Sequence, residues 1–156
     1  MGTRAGDRLV SDRIEWHFPR LRGSGYLVTS PRTPAYNCIA FAAGDESRWW
    51  EPDPATEHFW PAEAPRDYSL SALVRALGTC GFEACASAAL EAGWEKVAVF
   101  ADAEGAPTHV ARQLPDGAWT SKLGTLEDIR HRALDDVSGD AYGVPRAFLR
   151  RPIQAT

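Results

Sequence analysis

Between two short runs rich in β-forming residues the chain places Pro115-Asp116-Gly117, and this tripeptide constrains the fold more than any other feature of the sequence. Pro and Asp suit the centre of a type I turn and Gly the left-handed position after it, which together make a three-residue hairpin loop. Residues 108–114 and 118–123 then become antiparallel neighbours, with Leu114 opposite Ala118, Gln113 opposite Trp119, Ala111 opposite Ser121 and His109 opposite Leu123. Strand side chains alternate, so His109, Ala111, Ser121 and Leu123 share one face while Thr120 and Lys122 lie on the other. A two-residue loop would instead put Lys122 on the His109 face. Residues 95–101 read as a buried strand by their β-branched content, and 143–150 as a last strand, placed at an edge because Pro145 has no N–H to give a ladder.

Helix signals precede these strands. Asn37 is a cap for a short apolar run starting at Cys38 and stopped by Gly44. Leu70, Leu73, Val74 and Leu77 recur at helical spacing between Ser69, a cap, and Gly78, a stop. Residues 45–68, with Trp49, Trp50, Phe59 and Trp60 among several prolines, suit an ordered loop pinned by aromatic rings. Leu126 and Ile129 suggest a short helix or turn over 126–131. Residues 1–35 have isolated apolar anchors without sustained period and read as an extended arm, leaving 36–156 as a single domain. Helices followed by an antiparallel run of strands make the fold class α+β.

Composition narrows the function. The 17 Lys and Arg against 21 Asp and Glu, with no basic block, argue against a nucleic-acid partner, whose phosphates need clustered cations. No run approaches the length of a membrane span and no apolar leader opens the chain, so a cytoplasmic location without membrane contact is expected. Three Cys cannot all pair and read as free thiols, and they lack the close ligand pairs of a zinc site, so neither metal nor cofactor is called for.

Cys38 holds the first turn of its helix, where the N-terminal dipole favours a thiolate. A thiol nucleophile needs a base and the base an orienting partner. His109 supplies the first and Ser121, on the same face, the second, with Lys122 as the substitute if the register slips. The Cys38 amide with Asn37 or Tyr36 would bind a developing oxyanion, and Trp49, Trp50 and Trp60 would wall a groove for a peptide or small amide. Cys80 and Cys85 read as core filling, and His17, His58 and His131 as surface or capping residues, His131 lining a cleft only if the segment after Gly124 folds back.

A thiol at a helix start, then His on a strand, then a polar residue on the next strand resembles the papain-like superfamily, in particular its compact NlpC-type and CHAP amidases. The wording Tyr36-Asn37-Cys38-Ile39-Ala40-Phe41-Ala42, Thr108-His109-Val110-Ala111 and Trp119-Thr120-Ser121-Lys122-Leu123-Gly124 is also similar to a bacterial family of unknown function, over residues 35 to 150. The superfamily resemblance implies a papain-like core, a catalytic-type helix packed on an antiparallel sheet, and a cysteine peptidase, amidase or deamidase activity. Its third residue is usually His, Asn, Asp or Glu, whereas Ser121 brings no charge to an imidazolium. The competing expectation is a non-catalytic module of the same fold that binds ligands in a Trp-lined groove.

Overall fold

A computed structural model describes residues 5–153; the first four residues of the arm and the last three of the chain lie outside the described residues. Seven strands form one antiparallel sheet in the order β1-β6-β5-β4-β3-β7-β2. They are β1 (Leu27–Ser30), β2 (Glu83–Cys85), β3 (Trp94–Ala101), β4 (Pro107–Gln113), β5 (Trp119–Lys122), β6 (Asp128–His131) and β7 (Val144–Pro152). Helices α1 (Ala5–His17), α2 (Cys38–Ala43) and α3 (Leu70–Gly78) complete an α+β arrangement.

The hairpin forms as its loop chemistry dictates. Leu114 donates its amide to the Ala118 carbonyl at 2.7 Å, Gly117 closes the turn on Leu114 with φ +88°, and Gln113 pairs with Trp119. Ser121 therefore takes the His109 face and Lys122 the opposite one. The caps also form: the Asn37 side chain accepts from the Ala40 amide, the Ser69 side chain accepts from the Ala72 amide, and Gly44 ends α2 in the left-handed region.

The sheet separates two apolar clusters. Val97, Val99, Val110 and Leu149 face α2 and α3, together with Trp50 and Trp60 from the aromatic loop. Ala98, Phe100, Ala111, Trp119 and Ile129 face Ile14 of α1, Phe18 and Leu21. Fully burying a side chain such as Ile14 or Leu73 stabilises by about 1.5–3 kcal/mol, so both layers anchor the sheet.

Three expectations need correction. The stretch 1–35 is not an extended arm: residues 5–17 are helical, a 3₁₀ turn spans Pro19–Leu21, and β1 adds an edge to the sheet by pairing with β6. The helix escapes periodicity because its docking rests on Val10 and Ile14, one turn apart, while Leu9 and Trp16 stay exposed. Residues 128–131 form a strand between β5 and β1 rather than a helix or turn. Finally, β7 lies between β3 and β2, yet Pro145 is tolerated because β2 reaches only Phe148 to Arg150 and the β3 register shifts opposite Pro145.

Candidate active site

Cys38, Asn37 and Ile39 of the α2 start, Pro107, Thr108 and His109 of β4, Gly124, Tyr142 and the aromatic loop line one cleft of about 230 Å³. That is below the roughly 300–1,000 Å³ of drug-sized ligand pockets, so the space suits one side chain or a small amide. Two larger hollows, of about 450 and 460 Å³, have neither Cys nor His in their walls.

The imidazole of His109 is buried and held on three sides. Phe100, its cross-strand partner, meets it edge-on with centroids 5.3 Å apart, and Tyr142 stacks on it at 4.1 Å with planes 2° apart. Gly143 permits that stack, since a Cβ there would collide with the Ala101 carbonyl. The Thr108 hydroxyl donates to the Tyr142 carbonyl and fixes the same segment. On the third side His109 Nε2 lies 3.0 Å from Ser121 Oγ, which lies 2.8 Å from His131 Nε2. His131 Nδ1 in turn lies 2.9 Å from the Ala133 carbonyl oxygen.

The proton order in this chain follows from the one group that can only accept. Ala133 O takes a hydrogen from His131 Nδ1–H, so neutral His131 carries a lone pair at Nε2. Ser121 donates its hydroxyl hydrogen to that lone pair, and Ser121 Oγ then accepts from His109 Nε2–H. His109 is left with an unprotonated Nδ1, and that nitrogen is buried without a hydrogen-bond partner among the described residues. Burial, with His131 as a secondary influence, holds His109 well below the ordinary histidine range; burial also lowers His131. Both rings are neutral at pH 7.

Cys38 occupies the first position of α2, with the amides of Val110, Ile39 and Cys38 itself and the charge of Lys122 favouring its thiolate. Burial outweighs them and pushes the thiol up from its ordinary value, so the group rests protonated. The expected lowering by the helix start is thus overridden by desolvation. Cys38 and His109 form no hydrogen bond. They reach the cleft from different layers: α2 packs on the Val110 side of the sheet, whereas His109 shares the side of Ala111 and Phe100.

The other candidate residues divide. Trp49, Trp50, Trp60 and Asn37 all line the cleft. The Asn37 carboxamide is already engaged, accepting from Ala40 N at 3.2 Å and Trp50 N at 3.1 Å and donating to Trp50 O at 2.6 Å, so it locks the aromatic loop to the α2 start. Tyr36 turns away to donate to Asp128 Oδ2 at 2.7 Å. Lys122, fully buried, donates to the Gly124 and Leu126 carbonyls, each at 2.6 Å, and lies over the Tyr36 ring at 5.4 Å. Burial lowers its pKa, opposed by Asp128 and Cys38. Sequence reasoning missed His131 in the relay; the only available signal was the pair Ile129 and His131 alternating toward one face. Cys38, Cys80 and Cys85 are free thiols, and Cys80 packs at the margin of the α2/α3 cluster.

Among the described residues no group of three His, Cys, Asp or Glu is placed to hold a metal ion, and no helix is long and apolar enough to cross a membrane. A family model described as "Domain of unknown function (DUF7689)" matches residues 27–150, from β1 into β7, and so contains every residue of the cleft and the relay. No curated protein and no solved structure matches the chain.

Proposed function

The chain belongs to the DUF7689 family, and we propose that its cleft is the acyl-transfer site of a papain-like thiol hydrolase or transferase acting on an amide or isopeptide bond. Cys38 is the nucleophile, His109 the base and then the acid, and Ser121 with His131 the relay that positions the imidazole. One observation carries this reading: the relay commits Nε2 of His109 to donation and leaves a buried, unpartnered Nδ1 on a ring whose residue lines the same cleft as the Cys38 thiol.

The chemistry runs from neutral partners. Substrate binding closes the gap, His109 Nδ1 takes the Cys38 proton, and the sulfur attacks the carbonyl carbon. The tetrahedral intermediate collapses, the C–N bond breaks, and the amine leaves with the proton from His109 Nδ1. Water, or a second amine, then cleaves the thioester with His109 again as base. Without a carboxylate, the transient imidazolium is stabilised only by the Ser121 dipole and the π face of Tyr142, which points to a slow enzyme. Lys122 provides a positive field for the thiolate.

A second reading, a non-catalytic binding module of the same fold, is favoured by the raised Cys38 thiol and the missing Cys38–His109 hydrogen bond. p-Nitrophenyl acetate separates the two. The enzyme reading expects a stoichiometric burst of p-nitrophenolate with the acetyl group mapped to Cys38, abolished in Cys38→Ala and slowed about 10²–10⁴-fold in His109→Ala. A burst that survives Cys38→Ala, or acetyl groups spread equally over Cys80 and Cys85, would overturn it.

A further inference from the structure

The cleft that holds Cys38 and His109 carries a charge of its own. Glu51 and Asp67 are part of its wall and no Lys or Arg is. Among the described residues neither carboxylate has an ion-pair partner, although other carboxylates nearby do: Arg48 pairs with Asp45 at 2.8 Å and Arg66 with Asp53 at 3.2 Å. Arg66 reaches Glu51 only through the backbone carbonyl, at 3.4 Å. Asp67 is occupied in part, one oxygen accepting from the Ser69 amide and hydroxyl.

Glu51 is different, because two aromatic side chains hold its carboxylate from either side. Trp49 Nε1 donates to Oε1 at 3.1 Å and the Tyr68 hydroxyl donates to Oε2 at 2.8 Å. Hydrogen bonding to Glu51 raises the Tyr68 pKa, so the phenol stays a donor. Each carboxylate oxygen keeps a further lone pair, and the indole and phenol rings flank the charge at the mouth, where Tyr68 is 54% exposed. A carboxylate with free lone pairs, held by the N–H edge of an indole and the hydroxyl of a phenol, attracts an ammonium or guanidinium group by ion pairing, and the two neighbouring rings add cation–π attraction where the cation reaches a face.

We infer that Glu51, Trp49 and Tyr68 form a subsite for a cationic side chain, so that the amide presented to Cys38 belongs to a lysine-like or arginine-like residue. The inference rests on the acyl-transfer reading for its context but is tested by binding alone. In Cys38→Ala protein, tryptophan fluorescence follows titration with Nα-acetyl-lysine amide, with Nα-acetyl-norleucine amide as the chain of similar length lacking the ammonium. The lysine probe should bind about tenfold more tightly at low ionic strength, and the preference should shrink as salt rises. Glu51→Gln keeps a carbonyl acceptor for the Trp49 indole, turns its amide toward the Tyr68 hydroxyl oxygen as a donor, and so keeps the local shape, yet should abolish the preference. Equal binding of the two probes, or a preference that survives Glu51→Gln in a protein of unchanged Tm, overturns the subsite. A burst with p-nitrophenyl acetate alongside equal probe binding would sink only the subsite, and a lysine preference without any burst would sink only the hydrolase.

Discussion

Ser121 and Lys122 are consecutive residues of β5, and the pleat sends them into two buried polar networks of opposite character. On the α1 side Ser121 joins His109 and His131 in a chain of neutral groups whose unsatisfied atom is His109 Nδ1. On the α2 side Lys122 joins Tyr36 and Asp128 in a charged cluster whose unsatisfied atom is Asp128 Oδ1. The Lys122 ammonium is committed to the Gly124 and Leu126 carbonyls, which hold the turn between β5 and β6. The difference is one of purpose. A neutral relay can hand a proton to and from its free end at small cost, whereas a buried charge with two of its three donors engaged by a turn stabilises that turn and supplies a field.

Removing the charge should produce the larger effect on stability. Lys122→Met deletes both donors to the turn and leaves Asp128 buried without its nearest opposite charge. Breaking such an arrangement costs about 3–5 kcal/mol, or a fall of roughly 6–20 °C in Tm for a chain of this size. Thermal unfolding of the variant measures it; a change under about 2 °C would mean the ammonium is not committed as described. Ser121→Ala should cost less, about 1–3 kcal/mol, because it strands one donor and one acceptor of neutral rings. Its sharper consequence is loss of tautomer control. Nitrogen NMR of the histidine rings should show His109 protonated at Nε2 in the parent protein and mixed in Ser121→Ala, with the acetyl burst slowed in parallel. A single unchanged tautomer in the variant would break the assignment of roles to the two networks.

How much of this was legible follows from where each signal lay. The β4–β5 hairpin was readable because Pro115-Asp116-Gly117 is local turn chemistry, and it alone separated Ser121 from Lys122. Asn37 and Ser69 were readable for the same reason, since a cap is a contact across three residues. His131 was not, because β6 is four residues long and buries Asp128 and His131, polar side chains that a pattern of apolar residues treats as surface. The β1 strand hid in the opposite way, with Leu27 and Val28 exposed on an edge. The resting state of Cys38 was misjudged because the helix start is local and visible, while the desolvation that overrides it comes from the distant parts of the chain that bury it.

The smallest expected effect lies in the response to acid, and here the two networks should part in sign. For His109 and His131 the folded pKa is depressed below the unfolded value of about 6.5. The unfolded chain therefore binds more protons as pH falls through that value, and the stability these rings contribute above it is progressively lost toward their folded pKa values. Asp128 behaves in reverse: burial raises its folded pKa above that of the unfolded chain, so acidification through that window favours the folded state at this position. The carboxylate of Asp136 acts on His131 in the raising direction and softens the relay's acid sensitivity without reversing it. Between about pH 7 and pH 5.5 Tm should thus decline through the relay, and His131→Gln, which removes one of the two titrating rings, should make that decline shallower, while Tyr36→Phe, which removes a hydrogen bond that holds the Asp128 pKa down, should not make it steeper. If His131→Gln leaves the slope intact while Tyr36→Phe makes it steeper, the charged network is the acid-sensitive one and the division of labour across β5 is the wrong way round.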